Sequence, residues 1–257
     1  MAAFSLVKWY LDCVTKQGDT VILYCADLRW RGVRARYSSS LVALDGEVAT
    51  QSSMSSYNLT TGGQQISVDF PKLGVSGRWE SRAAPVRASI YRDAAGEVDW
   101  HCLQPASAVT VRVGDRELTG LGYAECLTLT LPPWQLPLHE LRWGRFVSAE
   151  DSLAWIDWRG PHSMSLAIHN GRMMDAITVS DSEVATDDST LRLADTFTLR
   201  AGTLGSTVLP GAGLLARLLP SSLRNIDERK WRSRATLATP KGESAGWAIH
   251  EVVLWNC

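Results

Sequence analysis

Residues 120–134 read GLGYAECLTLTLPPW. Tyr, Leu and Thr alternate there with small residues, and a double proline ends the run. That pattern predicts a β-strand, because β-branched and aromatic residues suit a pleated surface and proline cannot continue a central ladder. Successive strand side chains point to opposite faces. Tyr123, Glu125, Leu127, Leu129 and Leu131 therefore share one face, and Gly122, Ala124, Cys126, Thr128 and Thr130 share the other. The leucine face is expected to be the buried one. A glutamate on it needs a reason.

The same texture runs along the chain. SLVKWYLDCV (residues 5–14) is followed by the turn KQGD and then by TVILYCADLRW (residues 20–30), a hairpin pattern. Further short runs rich in Val, Ile, Leu, Thr, Tyr and Trp follow at regular spacing, punctuated by Gly, Asp, Asn or Pro. This predicts an all-β, antiparallel sandwich or barrel with few short helices. The best helical candidate is residues 209–223, broken by Pro220, which could plug a barrel end or form an apolar lid. Pro132-Pro133 is the best internal boundary. It suggests an N-terminal β unit over residues 1–130 and a second over residues 131–257. No repeat is obvious at the residue level.

The chain has 257 residues and a net charge of −1, so its overall charge points to neither a nucleic-acid nor a membrane-surface partner. The five cysteines are an odd count and contain no C-x-x-C pair, which argues against a disulfide framework and a zinc site. Free thiols imply a reducing compartment, and the N-terminus lacks a basic n-region and a long apolar h-region, so a cytoplasmic location is expected. No apolar run of about 18 residues appears, so no spanning helix is expected. There is no P-loop, no G-x-S-x-G elbow, no H-E-x-x-H and no G-x-G-x-x-G opening a helix. No metal and no cofactor are implied. Tryptophan is the compositional outlier at 11 residues. Indole fills wide sheet interiors, and it also binds flat apolar ligands and cations.

Alternation places three more carboxylates on apolar faces. Asp157 aligns with Leu153 and Trp155, Glu251 with Trp247, Ile249, Val253 and Trp255, and Asp195 with Leu191, Leu193, Phe197 and Leu199. A one-residue bulge would turn any of them outward. Alternatively, each pairs with an arginine across the core, for which Arg78, Arg142, Arg145 and Arg232 are available. Glu125 and Asp157 stand out because each has an aromatic neighbour two residues away on the same face. Burial disfavours a carboxylate anion and pushes its pKa upward, so such a group can stay protonated and act as a general acid. In an aromatic-walled apolar cavity the acceptor is an alkene, and Trp or Tyr faces would stabilise the resulting cation. Trp100, His101, Tyr123, Trp155, Trp158 and His162 supply suitable residue types. His101 is equally at home as a hydrogen-bonded rim residue.

Several segments resemble the AttH-like and carotenoid 1,2-hydratase superfamily. KWYLDCV, which includes Trp9 and Tyr10, and the hairpin after it look like that family's opening. VDWHCLQPASAVTVRVGDRELTGLGYAE is similar to its central block, where a glycine-rich approach leads to Tyr-x-Asp/Glu, here Tyr123-Ala124-Glu125. GWAIHEVV, which includes Glu251, looks like its closing strand. The resemblance implies two lipocalin-like β-barrel or sandwich units packed together. It also implies cofactor-free acid–base chemistry on an isoprenoid double bond. Tyr123 and Glu125 match the family's tyrosine and acid, whereas Trp100 and His101 correspond only loosely. The acid is Glu rather than Asp, and the chain is much shorter than the carotenoid hydratases, which favours a smaller substrate.

The expected function is thus protonation of a terpenoid or polyene C=C bond by Glu125, with Asp157 or His101 orienting water or accepting a proton. Water capture would give hydration, and capture by a second alkene would give cyclisation. Trp9, Tyr10, Trp100, Trp155, Trp158, His162 and Glu251 are the candidate lining residues. The partner would be a hydrophobic small molecule, and peripheral membrane access would deliver it. The rival expectation is a carrier that binds a lipophilic molecule without chemistry.

Overall fold

The computed structural model describes residues 4–174, 177–208 and 219–255. The chain divides into two compact units, and the first division falls between Leu136 and Pro137. The first unit contains β1 (Ser5–Val14), β2 (Thr20–Trp30), β3 (Val33–Leu44), β4 (Glu47–Ser53), β5 (Asn58–Gly62), β6 (Gln65–Phe70), β7 (Val75–Ser81), β8 (Val86–Arg92), β9 (Glu97–Val113) and β10 (Arg116–Leu129). The second contains β11 (Glu140–Val147), β12 (Ser152–Arg159), β13 (Met164–His169), β14 (Arg172–Met174), β15 (Ile177–Val179), β16 (Glu183–Thr186), β17 (Thr190–Thr203), β18 (Asp227–Thr239) and β19 (Gly242–Leu254). The described helices are single turns, α1 (Leu204–Thr207) and α2 (Ser221–Arg224). Most of the helical candidate at 209–223 lies outside the described residues.

Each unit is an antiparallel meander whose first and last strands pair. The orders are β4-β3-β2-β1-β10-β9-β7-β6-β5, with β8 added on β9, and β14-β13-β12-β11-β19-β18-β17-β16-β15. Apart from β8 the two orders are the same. The duplication invisible in the residues is plain in the topology.

The close approach of β10 to β1 explains the glycines of GLGYAE. A Cβ on Gly122 would lie 2.0 Å from the carbonyl oxygen of Asp12, and one on Gly120 would lie 2.2 Å from that of Val14. The Asp12 carbonyl also accepts a 2.7 Å hydrogen bond from Trp79 Nε1. Gly122 thus lets β10 approach the backbone carbonyl that holds the Trp79 indole.

The first core contains Leu11, Cys13, Leu23, Phe70, Trp79, Val109 and Ala124. It lies on the Ala124 face of β10, opposite Tyr123 and Glu125. The expectation that only the leucine face is buried therefore needs correcting: Tyr123 and Ala124, on opposite faces, are both fully buried. The second core contains Phe146, Leu153, Trp155, Leu237 and Ala248.

Asp195 departs from the alternation. β17 breaks register between Ala194 and Phe197, and Asp195 sits there with φ +46°. The bulge turns its side chain outward to 77% exposure, 3.9 Å from Arg234.

Candidate active site

Register breaks also occur beside Glu125, and their location decides its direction. Against β9, the pairing shifts between Gly122 and Ala124 and again between Ala124 and Glu125. The extra residues are in β9, around Leu103 and Ser107. Against β1, β10 runs without interruption from Leu121 to Leu129. Tyr123 and Glu125 therefore stay on one face, with Tyr10 directly opposite Glu125 and Asp12 opposite Tyr123. Directly opposed residues share a face. On the other side, Cys102 lies opposite Glu125 and Trp100 opposite Leu127, which adds both to the same face.

These side chains converge. Glu125 Oε2 accepts a 2.5 Å hydrogen bond from Trp100 Nε1 and a 2.8 Å bond from the Tyr123 hydroxyl. Glu125 is 9% exposed, Trp100 1% and Tyr123 0%. Tyr123 also hydrogen-bonds Cys102, whose thiol burial pushes well above its ordinary range. Burial, then the neighbouring Cys102 and Glu125, push the Tyr123 phenol well upward, so it remains a donor at any ordinary pH. Tyr10 closes one side, 6.1 Å from the Tyr123 ring and 5.3 Å from the Tyr24 ring by centroids. The result is a buried carboxyl in an aromatic enclosure, with two neutral donors fixed on one oxygen.

The other candidates are elsewhere. His101 lies opposite Cys126 and so faces away from Glu125. It borders a groove of about 630 Å³ at the open end of the first unit, with Ile66, Arg82, Leu103 and Gln104. Burial, then Arg87, lowers its pKa, which favours the neutral imidazole. Trp9 shares the His101 face and packs on the first core. Asp157 is on the core face of the second unit, where Oδ2 accepts from Arg159 at 2.7 Å and Oδ1 from the Ser165 hydroxyl at 2.8 Å. Its arginine partner is two residues along its own strand rather than one of the four named from sequence. Trp155 is in the second core, its ring over Gly144, where a Cβ would lie 2.2 Å from the indole. Trp158 donates to the Pro137 carbonyl at 3.4 Å and meets His162 edge-on at 6.3 Å.

Glu251 occupies the register position in β19 that Glu125 occupies in β10. Tyr10 precedes the end of β1 by the same interval as Trp143 precedes the end of β11, and Trp143 is the residue opposite Glu251. Here, however, the strand neighbour on the far side is Lys230 rather than Cys102. The Lys230 ammonium bonds Glu251, lies 3.6 Å from Glu228 and faces the Trp143 ring at 5.4 Å. Arg200 reaches Glu228 at 3.4 Å. This buried ionic network was missed in the sequence, where neither Glu228 nor Lys230 was singled out. Strand alternation applied to Glu228 and Lys230 is the signal that would have found it. Asp12, Tyr24 and Cys102 were also missed, although Asp12 alternates with Tyr10 and Cys102 with Trp100; Tyr24 joins that face through its pairing with Tyr10. Among the described residues, no three His, Cys, Asp or Glu side chains converge in a metal-binding arrangement.

No protein-family model and no curated protein matches the sequence. Solved structures do match. CghA, in a crystal structure with Sch210972, aligns over 98% of this chain and 88% of its own with a TM-score of 0.63 at 10% identity. A putative AttH from Nitrosomonas europaea aligns over 99% of this chain and 93% of its own, with a TM-score of 0.62 at 8% identity. The chain shares the fold of these two proteins. Kievitone hydratase from Nectria haematococca shares it, with a TM-score of 0.60 at 8% identity over 99% of this chain and 90% of its own. Identity this low carries the AttH-like fold and leaves the chemistry to be argued from the residues.

Proposed function

We propose that this protein is a cofactor-independent enzyme that protonates a C=C bond of a terpenoid or polyene through Glu125, leading to hydration or cyclisation. The observation that carries the reading is the pair of donors on Glu125 Oε2 inside a buried aromatic enclosure. With both donors directed at Oε2, the transferable proton of the acid form belongs on Oε1. Proton transfer from Oε1 to an alkene carbon leaves a carboxylate on Glu125 and a carbocation on the substrate. Trp100 and Tyr123 then stabilise the new carboxylate through the bonds they already make, and so need no reorganisation. The faces of Tyr10, Tyr24, Tyr123 and Trp100 supply the quadrupoles that favour a cation. Reaction ends when water adds to the cation or an internal alkene captures it and a proton is lost.

That one protein of this fold is named a hydratase supports an enzyme of this general kind acting on small molecules. The carrier alternative draws less support, because a carrier has no need of a buried acid held by two donors. The deciding experiment is turnover of a panel of polyenes and terpenoids by the wild type and by Glu125→Gln. The proposal expects a loss of about 10²- to 10⁴-fold, the range for removing a general acid. Unchanged turnover in the variant removes Glu125 from the mechanism. Tight binding of the panel without turnover by either protein supports the carrier.

A further inference from the structure

The near-neutral net charge conceals a local imbalance. Residues 28–44 contain Arg29, Arg31, Arg34 and Arg36 and no Asp or Glu. They form most of the β2–β3 hairpin, whose tip is a two-residue turn with φ +50° at Arg31 and +78° at Gly32. Two positive φ values in a two-residue loop make a type I′ turn, the tight turn that suits the twist of paired strands. The tip projects. Ser5 of β1 pairs with Arg29, and β4 pairs with β3 only from Ser38 onward, so Val33 to Tyr37 have no strand on the β4 side.

The hairpin is two-faced. Arg29 lies directly opposite Arg34, and Asp27 opposite Arg36, on one face. Leu28 opposite Ala35 and Trp30 opposite Val33 make the other. Asp27 engages Arg36 at 2.8 Å, but among the described residues no carboxylate lies within ion-pair distance of Arg29, Arg31 or Arg34. Like charges directly opposed across a ladder are destabilising. Arg29 and Arg34 are such a pair, both exposed, held where an anion from outside would relieve them. At the tip Arg31 covers the Trp30 ring at 4.7 Å, Val33 is 40% exposed, and Trp30 rests edge-on against Trp134 at 5.3 Å. Trp134 in turn meets Phe4 at 6.0 Å.

We propose that the β2–β3 hairpin docks this protein reversibly on an anionic lipid surface. Arg29, Arg31 and Arg34 meet the lipid phosphates, and Trp30 and Val33 settle at the headgroup boundary, where indole is favoured. The exposed valine beside the tryptophan favours lipid over nucleic acid, which would want an open aromatic face for stacking bases. Attraction of basic residues to an anionic membrane corresponds to about a five-fold gain in partitioning for each arginine. A protein acting on an apolar substrate gains by residing where such a substrate dissolves, but the docking stands independently of the role of Glu125.

The test is co-sedimentation with phosphatidylcholine vesicles, with and without phosphatidylserine, for the wild type, Arg29→Gln/Arg34→Gln and Val33→Asp. The wild type is expected to bind the phosphatidylserine vesicles selectively and to be released by salt. The double variant should lose about twenty-five-fold in partitioning without a lower melting temperature, since it also removes an opposed like-charge pair. Val33→Asp should weaken binding as well. Equal binding to both vesicle types, no binding, an unchanged double variant, or binding to single-stranded RNA in place of vesicles would overturn the proposal.

Discussion

Glu125 and Glu251 occupy the same register position in two sheets of the same strand order, yet different chemistry holds them. Glu125 has a tryptophan N–H and a tyrosine O–H on one oxygen. Glu251 has a buried lysine, backed by Glu228 and Arg200. A cation within bonding distance commits a carboxyl to its ionised form. At Glu125 the two influences oppose each other: burial favours the acid, and the two hydrogen bonds favour the carboxylate. Glu251 is thus one end of an ion pair, and Glu125 is the acid to which the proposed function assigns the proton transfer. The difference lies in what faces each acid, Cys102 and Trp100 in one unit against Lys230 and Glu228 in the other.

The contrast can be broken from its structural side first. Lys230→Met takes the cation from Glu251 and leaves buried Glu228 with Arg200 alone, and is expected to lose about 3–5 kcal/mol in denaturant unfolding. A loss below about 1 kcal/mol would mean that the network contributes nothing specific. Next is pH. Burial, then Lys230, lowers the pKa of His250 from its ordinary 6.5 to about 4. Between those values the unfolded chain binds more protons than the folded one, so stability is present above pH 6.5 and is lost as pH falls toward 4. The loss amounts to about 3 kcal/mol, and His250→Gln should flatten that limb of the stability–pH curve. Gly122→Ala places a methyl against the Asp12 carbonyl and should destabilise by about 1–3 kcal/mol, read as a lower melting temperature. The smallest effect is at Tyr123→Phe, which removes one donor from Glu125. It should lower turnover about ten-fold, a loss of about 1.4 kcal/mol in barrier height, while Glu251→Gln leaves turnover unaltered.

What the sequence revealed followed from period-2 alternation. The strands, the all-β class and the shared face of Tyr123 and Glu125 were legible because β10 runs unbroken against β1. Asp195 was misread because a bulge with positive φ leaves no trace in the hydrophobic pattern. His101 was associated with Glu125 by residue type and a loose family correspondence, but strand pairing places it on the opposite face. Asp157 looked isolated on an apolar face because its partners, Arg159 and Ser165, are ordinary surface-type residues brought inward by register. The shared strand order was hidden because equivalent positions such as Tyr10 and Trp143, or Cys102 and Lys230, keep their place in the ladder and not their residue type.

The central proposal is that Glu125 is the proton donor and that Glu251, bonded to Lys230, is not. Infrared difference spectroscopy reads this without a substrate, since a protonated carboxyl has a C=O band distinct from that of a carboxylate. The account predicts that such a band is present in the wild type and in Glu251→Gln and absent in Glu125→Gln. A band that persists in Glu125→Gln, or a wild type that shows none, would contradict it.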